Sequence, residues 1–206
     1  MSIGIVNYNA GNLTSVISAL NYVGASFFVS SDPDRLFKAD RLIFPGVGEA
    51  RYAMQQLKNT NCDVMLKEFA LTKKPLLGIC LGAQILFDYS EENDTPLLSI
   101  LSGKVRRFNL QNQFKVPHMG WNSITYENKE YHKNTPIFNG INEHSSFYFV
   151  HSFYMDPLNK EICCASCNYA EDFCAACHYE NIYALQFHPE KSAKEGLRIL
   201  TNFTNL

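Results

Sequence analysis

Short apolar segments alternate with amphipathic ones along the first half of the chain. Four apolar runs have the length and composition of buried strands, at 3–7, 27–29, 42–44 and 76–79. Between them, apolar residues recur every three or four positions, which predicts helices from residue 12 to about 24 and over 50–57, 64–71 and 84–88. Buried strands that alternate with helices are typical of a parallel sheet covered on both faces. The first half therefore predicts an α/β fold.

Strand patterns dominate the second half. Five segments have the pattern of strands, at 104–108, 147–151, 162–167, 173–179 and 182–188. A last helix is predicted after Ser192, because Glu195 lies three positions further on in a capping-box pattern and an apolar face follows. The polar stretch 126–136 is predicted to be a surface loop. Since no repeat, low-complexity tract or linker divides the sequence, we expect residues 1–206 to form one α/β domain.

Composition and charge exclude several classes of protein. The formal net charge of the 206 residues is -2, whereas a nucleic-acid-binding protein is expected to carry a basic patch. No apolar run approaches the ~20 residues of a membrane span, and the first residues lack the features of a signal peptide. Seven cysteines, an odd number, do not indicate a disulfide framework in a chain without an export signal. We therefore expect a cytoplasmic protein with reduced thiols, no nucleic-acid or membrane partner and no cofactor.

One cysteine is distinguished by its neighbours. Cys80 lies between Gly78 and Gly82, where a predicted buried strand runs into a helix. This G-x-C-x-G arrangement resembles a nucleophile elbow, in which glycines permit a strained turn that projects the nucleophile. The N-terminus of the helix favours thiolate over thiol, and the N–H of Leu81 would face a developing oxyanion. Alone, the pattern is equally compatible with a buried cysteine that packs as a small apolar residue.

A histidine and a glutamate near the end of the chain are candidate partners for this cysteine. In the segment Gln-Phe-His-Pro-Glu at 186–190, His188 and Glu190 would point to the same side of an extended strand. Glu190 would then hold the imidazole of His188 in the tautomer that accepts the thiol proton. Pro189 marks the end of the strand. Taken alone, this segment is more typical of a solvated strand end with an incidental histidine.

A third segment, Phe-Pro-Gly-Val-Gly at 44–48, follows another predicted strand. A proline and two glycines after a strand describe a tight loop where the backbone approaches a ligand closely, although an ordinary turn has the same composition. All three segments lie at the ends of predicted strands. Sites of α/β proteins lie beyond the carboxyl ends of strands, so the three segments together indicate one site.

These segments match the motifs of a known family. In their order and wide spacing, 45–48, 78–84 and 186–190 resemble the class I, triad-type glutamine amidotransferases. The segments 8–13, 117–122 and 148–152 resemble, within that class, the glutaminase subunits of imidazole glycerol phosphate synthases. The resemblance spans residues 3–203. It implies a flavodoxin-like fold, an open and mostly parallel sheet with helices on both faces and an antiparallel extension.

The resemblance implies a role for each site residue. Cys80 would attack the side-chain amide of glutamine, expel ammonia and leave a glutamyl thioester that water hydrolyses. His188 would act as general base and acid, with Glu190 as its orienting carboxylate. The N–H groups of Val47 and Leu81 would form the oxyanion hole. Six further residues would bind glutamine, with Glu92 pairing with its ammonium group: Gly48, Gln84, Glu92, His151, Ser152 and Phe153.

The resemblance also implies a partner. Ammonia would pass to a cyclase subunit that resembles a (β/α)8 barrel, in a heterodimer that makes imidazole glycerol phosphate and aminoimidazole carboxamide ribotide in histidine biosynthesis. A related synthase that amidinates a surface sugar is an alternative acceptor, because the acceptor binds to the other protein. A stand-alone cysteine peptidase is a further alternative.

Five of the seven cysteines lie within 163–177, where they form two C-x-x-C pairs. That spacing resembles a zinc site, since thiolates are good zinc ligands. Both pairs fall in predicted strands of a hairpin that turns near 170–172, and residues three apart in a regular strand point to opposite faces. We therefore expect packed thiols and no metal site. A zinc-binding interaction module is the alternative from another class.

Overall fold

The computed structural model describes residues 2–9, 13–109, 114–126 and 135–206. The predicted helix start at residue 12 and most of the predicted loop 126–136 lie outside these ranges. The elements of the first half are β1 (Ile3–Val6), α1 (Leu13–Tyr22), β2 (Phe27–Ser30), α2 (Pro33–Phe37), β3 (Arg41–Gly46), α3 (Ala50–Asn59), α4 (Cys62–Ala70), β4 (Leu76–Cys80) and α5 (Leu81–Ile85).

The second half contains mainly strands. They are β5 (Tyr89–Ser90), β6 (Thr95–Pro96), β7 (Gly103–Arg107), β8 (His118–Thr125), β9 (Ser146–His151), β10 (Phe153–Pro157), β11 (Cys163–Tyr169), β12 (Glu171–Tyr179) and β13 (Ile182–Leu185), followed by α6 (Ala193–Thr204). Short 3₁₀ turns lie at Pro136–Phe138, Lys160–Ile162 and Pro189–Lys191. None of the helices in the described ranges is long and apolar enough to cross a membrane.

The sheet has a parallel part and an antiparallel part. Strands β2, β1, β3, β4 and β13 lie side by side in this order and are parallel. This is the 2-1-3-4-5 order of a flavodoxin-like sheet, with β13 in the fifth place. The antiparallel part begins where β12 pairs with β13 and continues through β10 to β7 and through β11 to β8 and β9. The predicted fold class is confirmed.

Apolar side chains cover both faces of the parallel strands. One face packs against α1 and α6, through residues such as Val16 and Phe203. The other face packs against α2 to α5, through residues such as Leu57 and Phe69. Neighbouring residues of one strand serve opposite faces, as Ile43 packs with the α1 side and the next residue, Phe44, with the α3 side. Strands that are buried on both faces read as continuous apolar runs, which is why they could be predicted.

Several elements differ from their predictions. The helix after Cys80 begins directly at Leu81, three residues before the predicted start, because the elbow leaves no linker between β4 and α5. Strand β13 ends at Leu185, three residues before the predicted end. The patterns did not predict α2, β5, β6, β8 or β10. Strand β8 alternates buried and exposed residues only at its ends, which weakens its period-two signal.

The cysteine hairpin is formed by β11 and β12, as predicted, but its strands are not regular. The pairing of Ala165 with Ala176 is followed by that of Ser166 with Cys174, so Ala175 is an extra residue in β12. Such a bulge turns the residues on either side of it toward the same face. The sulfur atoms of Cys174 and Cys177 consequently lie 3.3 Å apart. The prediction that cysteines three apart point to opposite faces is therefore wrong for this pair.

Candidate active site

The nucleophile elbow is visible in the backbone of Cys80. This residue has φ 53° and ψ -113°, a combination that costs a non-glycine residue about 1–3 kcal/mol. It ends β4 and directly precedes α5. The flanking glycines are required by close approaches, because a Cβ atom on Gly82 would lie 1.9 Å from the carbonyl oxygen of Phe44, and one on Gly78 would lie 2.7 Å from Cα of Ala83.

The loop after β3 passes beside this elbow. Gly46 is the register partner of Cys80 in the parallel pair of β3 and β4. A Cβ atom on Gly46 would lie 2.5 Å from the hydroxyl oxygen of Tyr8 and 2.7 Å from the amide nitrogen of Gly82, so only glycine fits. Gly48 has φ 99°, in the region that favours glycine. The two glycines therefore bring Val47 next to the nucleophile.

His188 and Glu190 are in contact, but not for the reason predicted. His188 does not lie in a strand, because β13 ends at Leu185 and a 3₁₀ turn starts at Pro189. The fixed φ of proline suits the first position of such a turn. The turn brings Oε1 of Glu190 to 2.8 Å from Nδ1 of His188, with side-chain exposures of 4% and 2%. The expectation that both residues lie in an extended strand is wrong.

Ser192 holds the backbone of His188 in place. Its hydroxyl donates to the carbonyl oxygen of His188 at 2.6 Å and accepts from the backbone N–H of Tyr148 at 2.9 Å. The N–H of His188 in turn donates to the carbonyl oxygen of Tyr148 at 2.9 Å. The hydroxyl makes no cap bond to α6. The capping-box prediction for Ser192 and Glu195 is therefore wrong, and the serine ties the histidine to β9 instead.

The charges around His188 favour its protonated form. Burial lowers its pKa, but the charge of Cys80, a hydrogen bond with Cys80 and the contact with Glu190 outweigh burial and raise the pKa to about 10. The carboxylate of Glu190 can only accept at Nδ1, so Nδ1 carries a proton and Nε2 faces the sulfur. Nε2 is buried and has no hydrogen bond of regular geometry among the described residues. It is therefore available for proton exchange with Cys80.

A cavity of about 250 Å³ opens beside the sulfur. His188 and Glu190 are buried and do not line it. Its lining includes two residues to which the sequence assigned no role, Pro117 before β8 and Val150 in β9. The other lining residues were all named from the sequence: Val47, Gly48, Cys80, Leu81, Gln84, Glu92, His151, Ser152 and Phe153.

Two polar side chains of the cavity have defined orientations. Oε2 of Glu92 accepts the N–H of Ala50 at 2.8 Å, and burial raises the pKa of Glu92 while this bond opposes the rise. Nε2 of Gln84 donates both hydrogens, to the carbonyl oxygen of Phe153 at 2.7 Å and to Oε1 of Gln186 at 2.9 Å. The amide of Gln84 therefore has only its oxygen left for a ligand, whose contacting group must be a donor.

The histidine of the cavity is not a base. Nδ1 of His151 lies 2.8 Å from the carbonyl oxygen of Phe153, and its Nε2 lies 3.0 Å from Nδ1 of His118. Burial lowers the pKa of His151 to about 3 and that of His118 to about 4. Both imidazoles are therefore neutral, and His118, Gln186 and Ser192 are site-supporting residues to which sequence reasoning assigned no such role.

The described ranges contain no group of three or more histidine, cysteine, aspartate or glutamate side chains arranged to hold a metal ion. The five cysteines of the β11–β12 hairpin lie within these ranges and form no such group. Cys174 is buried, and burial is the main cause that raises its pKa well above the usual range, so its thiol is protonated.

Comparison with known proteins identifies the family of the chain. A model of the family described as glutamine amidotransferase class-I matches residues 6–205. The chain belongs to the class I glutamine amidotransferases.

Relatives of this amidotransferase include proteins named imidazole glycerol phosphate synthase subunit HisH. The protein from Acinetobacter baylyi is 44% identical over 98% of this chain and 96% of its own length. The protein from Neisseria gonorrhoeae is 42% identical over the whole of both chains, and one from Methanococcus maripaludis is 40% identical over 99% of each.

Solved structures resemble the amidotransferase in fold. A structure described as a glutamine amidotransferase superimposes with a TM-score of 0.74, at 17% identity, over 99% of both chains. PurLQS from Thermotoga maritima superimposes with a TM-score of 0.75, at 17% identity, over 99% of this chain and 97% of the other. At such low identity the likeness supports the fold alone.

Proposed function

We propose that this chain hydrolyses L-glutamine to glutamate and ammonia, as the glutaminase subunit of an imidazole glycerol phosphate synthase. The observation that carries the proposal is the arrangement at the elbow. A strained cysteine projects into a small cavity, with a buried histidine–carboxylate pair against its sulfur. A nucleophile, a base and a group that orients the base are the parts that acyl transfer needs.

The first half of the reaction forms a thioester. Cys80 loses its proton to Nε2 of His188, and the pKa of about 10 keeps the imidazolium protonated beside the thiolate. The sulfur adds to the carbonyl carbon of the glutamine side chain, and the carbonyl oxygen takes the negative charge. When the tetrahedral intermediate collapses, the C–N bond breaks, and the nitrogen takes the proton of His188 and leaves as ammonia.

The second half consumes water. His188, now neutral, accepts a proton from a water molecule whose oxygen adds to the thioester carbon. Collapse of the second tetrahedral intermediate breaks the C–S bond and releases glutamate, while the proton returns to the sulfur or stays on His188. We assign the N–H groups of Val47 and Leu81 to both oxyanions. Both residues line the cavity with Cys80, and Leu81 is the first residue of α5, where the N–H lacks an intrahelical partner.

Three groups of the cavity fit glutamine. The carboxylate of Glu92 suits the α-ammonium group, and the free oxygen of Gln84 suits an N–H donor of the substrate. Gly48 has no side chain and allows close approach of the substrate to the loop backbone. Ser152 lies between β9 and β10, Phe153 is the first residue of β10, and the side chain of His151 is engaged with the carbonyl oxygen of Phe153. We infer that 151–153 contributes backbone groups to the site.

We propose a barrel-shaped cyclase subunit as the partner. The relatives named above are synthase subunits at 40–44% identity over nearly all of both chains, which favours the histidine pathway over the surface-sugar alternative. Met119 and Trp121 on β8 are large, apolar and 66% and 56% exposed, and they lie close in sequence to Pro117 at the cavity. A partner that covered them would sit near the point where ammonia is released. The cytoplasmic location stays a prediction.

The proposal is tested by glutamine hydrolysis in the presence of the cyclase subunit of the same organism and its ribotide acceptor. We expect glutamate and imidazole glycerol phosphate to form in equal amounts, and both to disappear with Cys80→Ala. Absence of glutamate formation by the intact pair would refute the proposal. Glutamate formation without transfer to this acceptor would retain the glutaminase and reject the histidine pathway.

A further inference from the structure

Gln186 is a buried polar side chain to which the reaction above assigns no role. Its exposed fraction is 0%, and it lies between the nucleophile and Gln84. Its Oε1 atom accepts from Nε2 of Gln84 at 2.9 Å, and its Nε2 atom lies 3.9 Å from the sulfur of Cys80. The orientation of this one amide therefore decides whether the sulfur faces an N–H group or a carbonyl oxygen.

The orientation of the amide follows from the network around it. The two ends of a glutamine amide are assigned from their hydrogen-bond partners. The carbonyl oxygen of Phe153 can only accept, so the atom of Gln84 that lies 2.7 Å from it must be the nitrogen. The second hydrogen of that nitrogen points at Gln186, which must present its oxygen. The nitrogen of Gln186 is then directed at Cys80.

The carbonyl group that starts this chain is itself anchored. It also accepts from Nδ1 of His151 at 2.8 Å, so both of its lone pairs are used. His151 is held by His118, whose ring stacks on Tyr169 at a centroid distance of 4.0 Å. Both imidazoles are neutral and carry their hydrogen on Nδ1. The hydrogen of His151 then meets the carbonyl oxygen of Phe153, and that of His118 meets Nε2 of His151. None of these hydrogen-bonded side chains can flip without placing two donors or two acceptors face to face.

We propose that Gln186 is a further catalytic residue of the glutaminase site, whose amide N–H group stabilises the Cys80 thiolate in the orientation set by Gln84 and the Phe153 carbonyl. The importance of the thiolate rests on the proposed function. Inside a protein an N–H group acts on a charge more strongly than in water. The distance of 3.9 Å is long, so we take the low end of the range for hydrogen bonds to charged groups, about tenfold in the thiol–thiolate equilibrium.

Three substitutions test the direction of the amide. Gln186→Glu keeps the shape and the oxygen that accepts from Gln84, but it replaces the N–H group at the sulfur by an oxygen. Gln186→Met removes the amide without adding a charge. Gln84→Glu leaves residue 186 unchanged but removes the N–H group that now donates to Oε1 of Gln186. The amide of Gln186 must then flip and present its oxygen to the sulfur. Gln55→Glu, on the exposed side of α3, is the control for an added charge.

The measurement is the rate at which iodoacetamide alkylates Cys80 in the full chain between pH 5 and 10, followed on the Cys80 peptide by mass spectrometry. We expect the pH at which the alkylation rate is half-maximal to rise by about one unit in Gln186→Met. A tenfold change in the thiol–thiolate equilibrium constant corresponds to one pH unit. We expect a larger rise in Gln186→Glu and Gln84→Glu and none in Gln55→Glu. A loss of packing alone would alter the melting temperature or the limiting rate without moving this midpoint.

The outcomes separate this inference from the proposed function. Alkylation needs no glutamine, so the midpoint can move even in a chain that does not hydrolyse glutamine. In that case the assignment of Gln186 stands and the proposed function is lost. If the wild-type chain hydrolyses glutamine but the midpoints of the folded variants stay within 0.2 unit (about 1.6-fold) of wild type, Gln186 does not act on the thiolate and the inference is overturned. Circular dichroism identifies the folded variants, and one folded Gln186 variant is sufficient.

Discussion

Nδ1 of His188 lies 2.8 Å from Oε1 of Glu190, and a single proline separates the two residues in the sequence. A 3₁₀ turn rather than a strand brings them together, and both side chains are almost completely buried. Because Nδ1 is occupied, only Nε2 can exchange a proton with Cys80. The pair therefore decides which ring nitrogen of His188 exchanges the proton.

Removing the carboxylate should impair catalysis more than folding. In Glu190→Ala, Nδ1 of His188 loses its acceptor, so the ring is free to rotate and to adopt the other tautomer. General acid–base catalysis is worth about 10²–10⁴-fold, and we expect kcat for glutamine to fall by at least ~10²-fold. Glu68→Ala, on the exposed side of α4, is the control. A fall of less than ~5-fold in steady-state hydrolysis would mean that Glu190 does not orient the base.

The charge of His188 should depend on Cys80. Burial lowers its pKa, so the value of about 10 depends on the charge and hydrogen bond of Cys80 and on Glu190. In Cys80→Ala we expect NMR titration to give a lower pKa, by at least one unit. A raised pKa stabilises the folded state below the unfolded value near ~6.5, and this stabilisation is lost as pH rises through the folded value. Between pH ~6.5 and ~10, the free energy of unfolding should therefore decline less in Cys80→Ala than in wild type. An unchanged His188 titration in the variant would contradict this account.

Ser192 should matter for stability and for activity together. Ser192→Ala leaves the N–H of Tyr148 and the carbonyl oxygen of His188 without the hydroxyl that now joins them. The carbonyl oxygen of His188 still accepts the N–H of Lys191 at 3.0 Å, so the group left unsatisfied is the N–H of Tyr148. An unsatisfied buried polar group costs about 1–3 kcal/mol, and we expect the free energy of unfolding, measured in urea, to fall by that amount. The backbone of His188 then keeps its N–H bond to Tyr148 but loses the hydroxyl at its carbonyl oxygen, and kcat should fall because the imidazole is held less firmly. Ser18→Ala, exposed on α1, should change neither quantity. A stable Ser192→Ala variant would show that the anchor is dispensable.

Glu92 should act on binding alone. A glutamine at this position still accepts the N–H of Ala50 but no longer carries a charge for the α-ammonium group. We expect Glu92→Gln to raise KM for glutamine by about 10–100-fold with little change in kcat, because the contact is the same in the ground and transition states. Glu91→Gln, exposed one position earlier, is the matched control. A fall in kcat at unchanged KM would assign Glu92 to the reaction instead.

How well a feature of this structure can be predicted from the sequence depends on how far apart in the sequence the interacting residues lie. The parallel strands and the elbow were predictable, because their signals are local: continuous apolar runs, and glycines at Gly78 and Gly82 that no other residue can replace. The pairing of β8 with β9, which places His118 beside His151, is a long-range contact with no local signature. The bulge at Ala175 was equally hidden, since one extra residue reverses the side to which later side chains point.

The role of Gln186 lies between these cases. The residue belongs to the same short segment as His188, and a polar side chain that follows a buried strand was a signal. Its contact with Cys80 depends on Gln84 and Phe153, which are distant in sequence. The turn at Pro189 was misread for a related reason. Extended and 3₁₀ backbones both bring residues two apart close together, so the right pair was found through the wrong conformation.

The most direct test of the account is to label the chain with a diazoketone analogue of glutamine and to map the modified peptide. The analogue carries the amino-acid group that Glu92 is proposed to bind and an electrophilic carbon where the amide would lie. The account predicts one label per chain, on Cys80 out of seven cysteines, with protection by glutamine and a slower reaction in Glu92→Gln. Label on the cysteines of 163–177 with Cys80 unmodified would contradict the central claim.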